Sequence, residues 1–353
     1  MNIAIDITPM HSGHKMRGVG SYTRLLKEAL EKSKSSHTFH FFTRGEKLPG
    51  NINLLHYPYF DPFFLTLPLT SQTPYVVTVH DLIPLVYPDK FPPGLKGELK
   101  WRMQKFFLGR ARRVITDSHA SRKDISTIAK IADDKIEVIY LAPSPVFRPI
   151  HSKAMLDSVQ KRYMLPKQFV LFVGDVNWNK NIFGLLKASV ILLHSKGFQD
   201  TKLILVGKAF LDKQLPEAQR INTAINDLNI DRSVVKLGFV SDEDLAAIYS
   251  LASVYVQPSY AEGFGFPVLE AMACGCPVVT SDTSSLSEIA GPALRVSPHD
   301  PSNIARGIEQ ILRSKKAQAL SKKGIAWAKN FSWEKVAQQT IVTYERAFRG
   351  DLP

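Results

Sequence analysis

Short apolar runs alternate with longer segments of helical periodicity along the whole chain. In the first half, the predicted strands are Asn2–Ile7, Thr38–Thr43, Asn53–Tyr57, Tyr75–His80, Arg113–Asp117 and Ile136–Tyr140. Helical spacing is found at Tyr22–Ser33, Gly97–Ala111 and Ser121–Ile131, and in a helix-like run that ends near Tyr163. Strands that alternate with helices in this way indicate a parallel α/β domain.

The same alternation starts again at Phe169 and predicts a second doubly wound domain. Its predicted strands are Phe169–Val173, Lys202–Val206, Val234–Leu237, Val254–Gln257, Pro277–Thr280 and Ala293–Val296, and its helices are Ile182–His194, Asp242–Leu251 and Phe266–Ala273. The polar, proline-bearing stretch Ala142–Pro149 precedes a boundary that we place within Ile150–Pro166. We therefore expect an α/β protein with two Rossmann-like domains, at residues 1–160 and 161–333.

The predicted strand ends locate the candidate ligand sites. Open parallel sheets bind ligands beyond the carboxyl ends of their strands, where helix N-termini are also found. Two such domains facing each other would form a cleft lined by these ends. The last helical pattern, Ser332–Phe348, begins with Ser332 as N-cap, and periodicity alone assigns it to neither domain.

The net charge of +13 favours acidic partners, such as phosphorylated small molecules or an anionic lipid surface. Basic and apolar residues are interleaved from Lys96 to Arg113. A helix of this composition can lie on an anionic membrane, and it can equally be a packed helix with an ordinary solvated face. Nothing resembles a zinc finger or a ribonucleoprotein motif, so nucleic acid is not an expected partner.

The two cysteines, Cys274 and Cys276, have a spacing that suits neither a zinc site nor a disulfide framework, which favours a reducing cytoplasmic compartment. Met1–Thr8 is typical of a strand rather than a leader. No apolar run approaches the roughly 18 residues of a membrane-spanning helix. We expect a cytoplasmic protein and leave peripheral attachment to a membrane open.

The strongest candidate for chemistry is Pro258–Glu270, PSYAEGFGFPVLE, which follows a predicted strand and opens a predicted helix. Its glycines leave the backbone N–H groups near the helix start open to a ligand. Glu262, in the loop, could accept hydrogen bonds from sugar hydroxyls, and Glu270, in the helix, could bind a ribose diol. The alternative is that Glu270 is a surface residue and the glycines only form a turn.

This segment, together with LGFVS at Leu237–Ser241, CGCPVVT at Cys274–Thr280 and SEIAG at Ser287–Gly291, resembles the donor site of glycosyltransferase family 4. Members of that family have the GT-B fold and an E-x₇-E motif. The resemblance covers nearly the whole chain, including RGVGSY at Arg17–Tyr22, VHDLIP at Val79–Pro84, TDSHAS at Thr116–Ser121, FVGDVNWNKN at Phe172–Asn181 and FSWEKVA at Phe331–Ala337. It implies that a C-terminal helix at about residues 334–353 packs back on the first, acceptor-binding domain.

The resemblance assigns roles to individual residues. Glu262 and the neighbouring amides would hold the hydroxyls of the donor sugar, and Glu270 would hold the ribose. The implied catalytic residues are Glu262, His80 and Lys180. His80 would reach towards the donor sugar, and Lys180 would face the diphosphate. The implied donor-binding residues are Gly18, Gly20, Lys180, Lys208, Val240, Glu262, Gly263, Phe264, Gly265, Phe266 and Glu270. Taken alone, Lys180 could be a solvated loop residue and His80 could be a structural histidine. The glycine loop of Gly18 and Gly20 is by itself a weak signal.

One position departs from the family pattern. Members often carry an arginine directly after the glycine that follows this strand. Here that glycine is Gly174, after the predicted strand Phe169–Val173, and the next residue is Asp175. Lys208 is the candidate second cation, and backbone amides with Asn177 or Asn179 are the alternative.

The resemblance also implies a reaction. It is the transfer of a hexose from a nucleoside diphosphate sugar to a hydroxyl of a saccharide or lipid-linked saccharide, with retention of configuration and without a metal or other cofactor. VHDLIP and RGVGSY are similar to segments of bacterial mannosyltransferases, so GDP-mannose is the expected donor, with UDP-glucose or a UDP-N-acetylhexosamine as alternatives. Rival functions are a dehydrogenase, a sugar-nucleotide epimerase and a catalytically silent sugar-nucleotide-binding protein.

Overall fold

The computed structural model describes residues 1–11, 18–68, 70–314 and 317–350, and the chain divides into two compact units. Met1–Ala142 and Phe331–Pro353 form the first unit, and Pro143–Asn330 form the second. Each unit contains one six-stranded sheet with parallel strand pairs. The prediction of an α/β protein with two Rossmann-like sheets is confirmed.

The first sheet has the spatial order β2-β1-β3-β4-β5-β6. Its strands are β1 (Asn2–Asp6), β2 (Thr38–Phe42), β3 (Leu54–Tyr57), β4 (Tyr75–Thr78), β5 (Arg113–Thr116) and β6 (Ile136–Val138). The helices between them are α1 (Gly18–Lys32), α2 (Ile83–Val86), α3 (Gly94–Gly109) and α4 (His119–Asp124). Strands β3, β4 and β5 are buried throughout, as expected for a parallel sheet covered on both faces.

The second sheet has the order β12-β11-β10-β7-β8-β9. Its strands are β7 (Phe169–Val173), β8 (Lys202–Val206), β9 (Val234–Gly238), β10 (Val254–Gln257), β11 (Val278–Ser281) and β12 (Leu294–Val296). The helices of this unit are α5 (Lys153–Arg162), α6 (Ile182–His194), α7 (Pro216–Asp227), α8 (Asp242–Leu251), α9 (Phe266–Ala273), α10 (Ser284–Ile289), α11 (Pro301–Arg313) and α12 (Ala317–Ala328). Its core joins Phe172, Leu205 and Val256 of the strands to Leu185 and Ile308 of the helices.

Strand order in the second sheet creates a switch point. From β7 the chain continues to β8 on one side, and later to β10 on the other. The connections that leave neighbouring strands β7 and β10 therefore diverge, which opens a crevice at the carboxyl edge between them. Short 3₁₀ segments lie at Thr8–Met10, Asp133–Lys135, Trp178–Lys180, Lys208–Leu211 and Asp231–Ser233, and a π-helical segment at Ile125–Ala129 continues α4.

The last helix, α13 (Trp333–Arg349), packs in the first unit. Ser332 caps it by accepting a hydrogen bond from the amide of Lys335, at the predicted position. The Tyr344 hydroxyl lies 2.7 Å from Nδ1 of His56 on β3, and both side chains are buried.

The second unit begins at Pro143, whereas the first predicted domain extends to residue 160. Helix α5 packs on α8, because Arg162 and the Tyr163 hydroxyl both donate to Asp244, over 2.7 and 2.8 Å. The amide of Ile150 donates to the Ser250 hydroxyl, which ties the preceding segment to the same helix.

Three details differ from the sequence predictions. Helix α1 starts at Gly18, so Gly18 and Gly20 lie in its first turn rather than in a loop; Arg17, which opens the RGVGSY motif, lies outside the described residues. Strand β4 ends at Thr78, so His80 follows the strand instead of ending it. Five helices were not predicted: Ile83–Val86, Pro216–Asp227, Ser284–Ile289, Pro301–Arg313 and Ala317–Ala328.

Candidate functional site

Two loops meet at the switch point of the second sheet. The segment Asn177–Asn181 follows β7, and Pro258–Gly265 follows β10. The two strands pair directly, with Tyr255 opposite Leu171. Because they are parallel neighbours, both loops leave from the same edge of the sheet.

Hydrogen bonds join the two loops closely. The amide of Tyr260 donates to the carbonyl of Asn179 over 2.8 Å, and Nδ2 of Asn179 donates to the carbonyl of Ala261 over 2.9 Å. Nδ2 of Asn181 donates to the carbonyl of Pro258 over 2.9 Å. The ring of Trp178 stacks on Tyr260, with centroids 4.7 Å apart. Asn179 is thus occupied by loop contacts, and the backbone around Lys180 is held against the loop that carries Glu262.

Lys180 and Glu262 form a direct ion pair. The Lys180 ammonium lies 2.9 Å from Oε1 and 2.7 Å from Oε2 of Glu262. The two side chains are 19% and 8% exposed, so the pair is largely removed from solvent and its charge-assisted hydrogen bonds are correspondingly strong. The two implied catalytic groups of this unit are therefore adjacent.

Glu262 is fixed by further contacts that the sequence did not indicate. Its Oε1 accepts from Nε2 of Gln257 over 2.7 Å and from the Ser259 hydroxyl over 2.6 Å. Its backbone amide donates to the Ser284 hydroxyl, and its carbonyl accepts from the Ser285 hydroxyl. The available signal was the polar QPS tripeptide at the end of an otherwise apolar strand.

Helix α9 begins directly after this loop, with Gly265 as N-cap. Gly265 has a φ of 109°, and a Cβ there would lie 2.7 Å from Cδ2 of Leu286, so glycine is required on two grounds. The Phe264 side chain is buried and packs edge-on against Phe266. Any contact of Gly263–Phe266 with a polar ligand therefore falls to the backbone amides, which lie at the positive end of the helix.

Glu270 lies within the same helix and is partly buried. Its Oε2 accepts a hydrogen bond from the Tyr249 hydroxyl over 3.2 Å. Burial raises the pKa of Glu270 to about 8; the Tyr249 hydrogen bond opposes this shift and the charge of Asp242 adds to it. This second acid is therefore more easily protonated than an ordinary glutamate.

The remaining predicted donor-site residues lie on neighbouring strand ends. Gly207 packs so closely on Gly174 that a Cβ there would lie 2.0 Å from the Gly174 carbonyl oxygen. Lys208, the next residue, is exposed at the same edge as Asp175, whose carboxylate accepts from the amide of Val176. Val240 follows β9 and is buried.

In the first unit, His80 forms a close pair with Asp117. Its Nδ1 lies 2.6 Å from Oδ2 of Asp117, and its Nε2 lies 3.2 Å from the carbonyl oxygen of Pro58. Burial by itself would lower the pKa of His80, but the charge and hydrogen bond of Asp117, with the charge of Asp81, raise it above its ordinary value. Both ring nitrogens can donate only in the imidazolium form, which fits two oxygen partners.

Gly18 and Gly20 form the amino end of α1 in the same unit. Gly20 is buried and Gly18 is exposed. Tyr22, two residues after Gly20, places its ring edge-on to His80, with centroids 4.7 Å apart.

Within the described residues, no group of three or more His, Cys, Asp or Glu side chains is arranged to hold a metal ion. In the same part of the chain, no helix combines the length and the apolar character needed to cross a bilayer.

Comparison with known proteins identifies the family to which the chain belongs. The family described as Glycosyltransferase Family 4 matches residues 46–142, and the family described as Glycosyl transferases group 1 matches residues 158–327. The O-antigen chain mannosyltransferase B of Escherichia coli is 32% identical over 272 residues, which are 76% of this chain and 70% of that protein. The serotype-specific mannosyltransferase WbdA of Escherichia coli is 31% identical over 77% of this chain, but the match spans only 33% of WbdA.

Among solved structures, sucrose-phosphate synthase from Thermosynechococcus elongatus superposes with a TM-score of 0.78, covering 99% of this chain and 100% of that one at 23% identity. At this identity, the likeness shows the fold alone, which is GT-B. The matched families and the 32% identical relative show the family to which the chain belongs. The chain is an enzyme of glycosyltransferase family 4, and it is similar to bacterial mannosyltransferases.

Proposed function

We propose that this glycosyltransferase moves a mannosyl residue from GDP-mannose to a hydroxyl of a saccharide or lipid-linked saccharide, with retention of the anomeric configuration. The observation that carries the proposal is the Lys180–Glu262 pair at the switch point, beside the amino end of α9. The names of the relatives, O-antigen chain mannosyltransferase and WbdA, support mannose as the sugar.

In this proposal the two charges of the pair serve the two halves of the donor. Glu262 accepts hydrogen bonds from sugar hydroxyls, with help from the amides of Gly263–Phe266. Lys180 turns its ammonium towards the diphosphate, where a mobile point charge can follow the developing negative charge. Lys208, exposed at the adjacent strand end, supplies the second cation in place of the arginine that Asp175 replaces. Glu270 holds the ribose diol.

The proposed chemistry takes place on one face of the sugar. The bond between the anomeric carbon and the diphosphate oxygen breaks, and the acceptor oxygen bonds to the same face. The acceptor proton passes to the departing diphosphate oxygen, so no protein nucleophile is needed. Lys180, Lys208 and the helix dipole stabilise the leaving group without a metal ion. His80, as an imidazolium, keeps its hydrogen bond to Asp117 and exchanges its 3.2 Å contact with the Pro58 carbonyl for a hydrogen bond to the donor sugar.

The donor is tested by thermal unfolding with GDP-mannose, UDP-glucose and UDP-N-acetylglucosamine. A donor at about 100 times its dissociation constant stabilises the native state by roughly 2.7 kcal/mol. We expect GDP-mannose to raise the Tm more than either UDP sugar, and GDP to be released when mannosides with hydrophobic aglycones are added. If a UDP sugar stabilises the protein and is turned over instead, GDP-mannose is the wrong donor and that UDP sugar is the right one.

Retention is tested separately. The anomeric proton coupling and chemical shift of the first-formed product, read by NMR before any equilibration, should show the same configuration as the donor. A product of opposite configuration would rule out the same-face mechanism.

We also propose that the first unit contacts an anionic membrane surface through α3 and the loop that carries Phe64. Leu95, Leu99 and Phe106 of α3 are exposed to 93%, 62% and 60%. The Lys100 ammonium lies 5.2 Å from the ring centroid of exposed Phe64, and the Arg110 guanidinium lies 5.8 Å from that of Phe106. Exposed apolar side chains bordered by cations suit the boundary between lipid headgroups and acyl chains.

Sedimentation with phosphatidylglycerol vesicles at low salt tests this surface. We expect the protein to be retained, and Leu95→Ser with Leu99→Ser to reduce retention, because apolar burial contributes to interfacial binding. Met164→Ser, at an exposed methionine of the second unit, is the matched control and should change nothing. Equal loss in both variants, or no retention of the natural protein, would contradict the proposal.

A further inference from the structure

Strand β10 ends in an amide side chain, Gln257, that is completely buried. The residues before it, Val254, Tyr255 and Val256, are also buried. A buried amide lowers stability unless its donors and acceptor are all hydrogen-bonded. The partners of Gln257 therefore show what the side chain does.

Both ends of the Gln257 amide are occupied. Nε2 donates to Oε1 of Glu262 over 2.7 Å and to the Ser259 hydroxyl over 2.8 Å. Its Oε1 accepts from the Tyr255 hydroxyl. A flipped amide would direct its own oxygen at the Glu262 carboxylate, which is unfavourable because both atoms are acceptors. The amide has one permitted orientation.

Tyr255 maintains that orientation. Burial raises the pKa of the Tyr255 hydroxyl well above its ordinary value, and the charges of Glu262 and Glu270 raise it further. The hydroxyl therefore keeps its proton at every pH at which the enzyme would work, and it continues to donate to Gln257.

The contacts divide the two oxygens of Glu262 into different roles. Oε1 receives hydrogen bonds from Lys180, Gln257 and Ser259. In the described part of the chain, Oε2 receives one from Lys180 alone. Oε2 therefore keeps capacity to accept a hydrogen bond from a ligand, while Oε1 is saturated by the protein.

We infer that Gln257 is a positioning residue for glycosyl transfer: its amide fixes Oε1 of Glu262, so that Oε2 faces the donor sugar in one orientation. The inference rests on the proposed function of Glu262. Gln257 acts through Glu262 and contacts no substrate itself. A carboxylate held in this way needs no reorientation when the transition state forms.

The sharpest test is Gln257→Glu, because it keeps the shape of the side chain and replaces the donating nitrogen with an oxygen. At high pH two carboxylates face each other, and kcat should fall by roughly ten- to hundredfold, the effect of losing a charged hydrogen bond. As the pH falls, the introduced carboxyl takes up a proton, since burial and the charge of Glu262 raise its pKa, and it becomes a donor again. The ratio of variant to natural kcat should therefore rise towards acid pH.

Three further variants separate positioning from folding. Gln257→Met has no donor at any pH, so its loss of kcat should be independent of pH. Tyr255→Phe removes only the hydroxyl that orients the amide and should lower kcat by a few fold with little change in KM. Thr280→Val is the control, because the Thr280 hydroxyl donates to the backbone carbonyl of Gln257 and not to its side chain; it should leave kcat unchanged.

The outcomes also distinguish this inference from the proposed function. If Glu262→Gln retains natural turnover, the proposed role of Glu262 is wrong. If Glu262→Gln is inactive while Gln257→Glu matches the natural enzyme at every pH, only the positioning role is wrong. Should Gln257→Glu fail to fold, the kcat of Tyr255→Phe decides: an unchanged value would overturn the inference.

Discussion

The Nδ1 atom of His80 lies 2.6 Å from Oδ2 of Asp117, so the carboxylate both orients the imidazole and favours its charged form. Asp117 directly follows β5 and is 2% exposed, so little solvent screens the interaction.

The first prediction concerns the pH dependence of activity. Asp117 raises the pKa of His80, and hence His80 stays protonated to a higher pH than it would alone. Asp117→Asn removes that charge, so the alkaline limb of the kcat/KM profile should move to lower pH, with roughly a tenfold loss above the new pKa. Natural and variant profiles that coincide would show that the charge of His80 is not used.

The second prediction tests the ion pair of the second unit. Lys180→Ala and Glu262→Ala should each cut turnover by well over tenfold, while thermal unfolding remains cooperative. Because the two groups share hydrogen bonds, the double variant should lose much less than the sum of the two free-energy changes. Lys187→Ala, at an exposed lysine of α6, is the control for a lost positive charge. Additive losses would mean that the pair does not act as a unit.

The third prediction concerns Glu270, whose pKa is raised to about 8 in the folded protein. Between its ordinary pKa of 4.5 and about 8, the folded protein holds a proton there that the unfolded chain has released. The free energy of unfolding therefore contains a contribution that is full at acid pH and is lost as the pH rises through this window. Glu270→Gln should remove that slope in urea unfolding from pH 5 to 8.

Donor binding supplies a second measure of the same group. If the Glu270 carboxylate accepts from a ribose diol, the donor favours its charged form, and binding should release a proton near pH 7. Calorimetry in buffers of different ionisation enthalpy measures this release. Proton release that persists unchanged in Glu270→Gln would assign it to another residue.

The fourth prediction separates two causes of one glycine requirement. Gly265→Ala meets both an unfavourable φ and a contact of 2.7 Å with Leu286, and it should lower the free energy of unfolding by about 1–3 kcal/mol. Gly197→Ala, at a φ of 92° with no atom within 4 Å of the added Cβ, shows the backbone contribution alone. Equal losses would mean that Leu286 moves aside without a penalty.

Sequence periodicity was enough to predict the strands of both sheets, because buried parallel strands are short, continuous apolar runs. Helix α11 was missed although Asp300, Pro301 and the spacing of Ile304, Ile308 and Ile311 are ordinary helix signals. Helix α1 was started too late, because two glycines near its beginning suggested a loop. Glycine tolerates either state, and packing of the first turn decides between them.

The candidate site was less accessible from the sequence. The E-x₇-E motif and the lysine in WNKN were visible, but 82 positions separate Lys180 from Glu262. Their direct contact depends on the pairing of β7 with β10, which no local pattern specifies. The role of Gln257 also depends on which atoms surround it, because an isolated polar residue at the end of an apolar strand is compatible with many environments.

The position of α13 has a consequence for the order of folding. Tyr344 hydrogen-bonds His56 in the interior of the first unit, across a sequence separation of 288 residues. During synthesis, β3 therefore emerges long before the helix that completes its surroundings, and the whole second unit is made in between. The second unit can therefore reach its native state before α13 has been synthesised. The first unit is complete only once that helix has emerged, and until then the buried face of its sheet is open to chaperones.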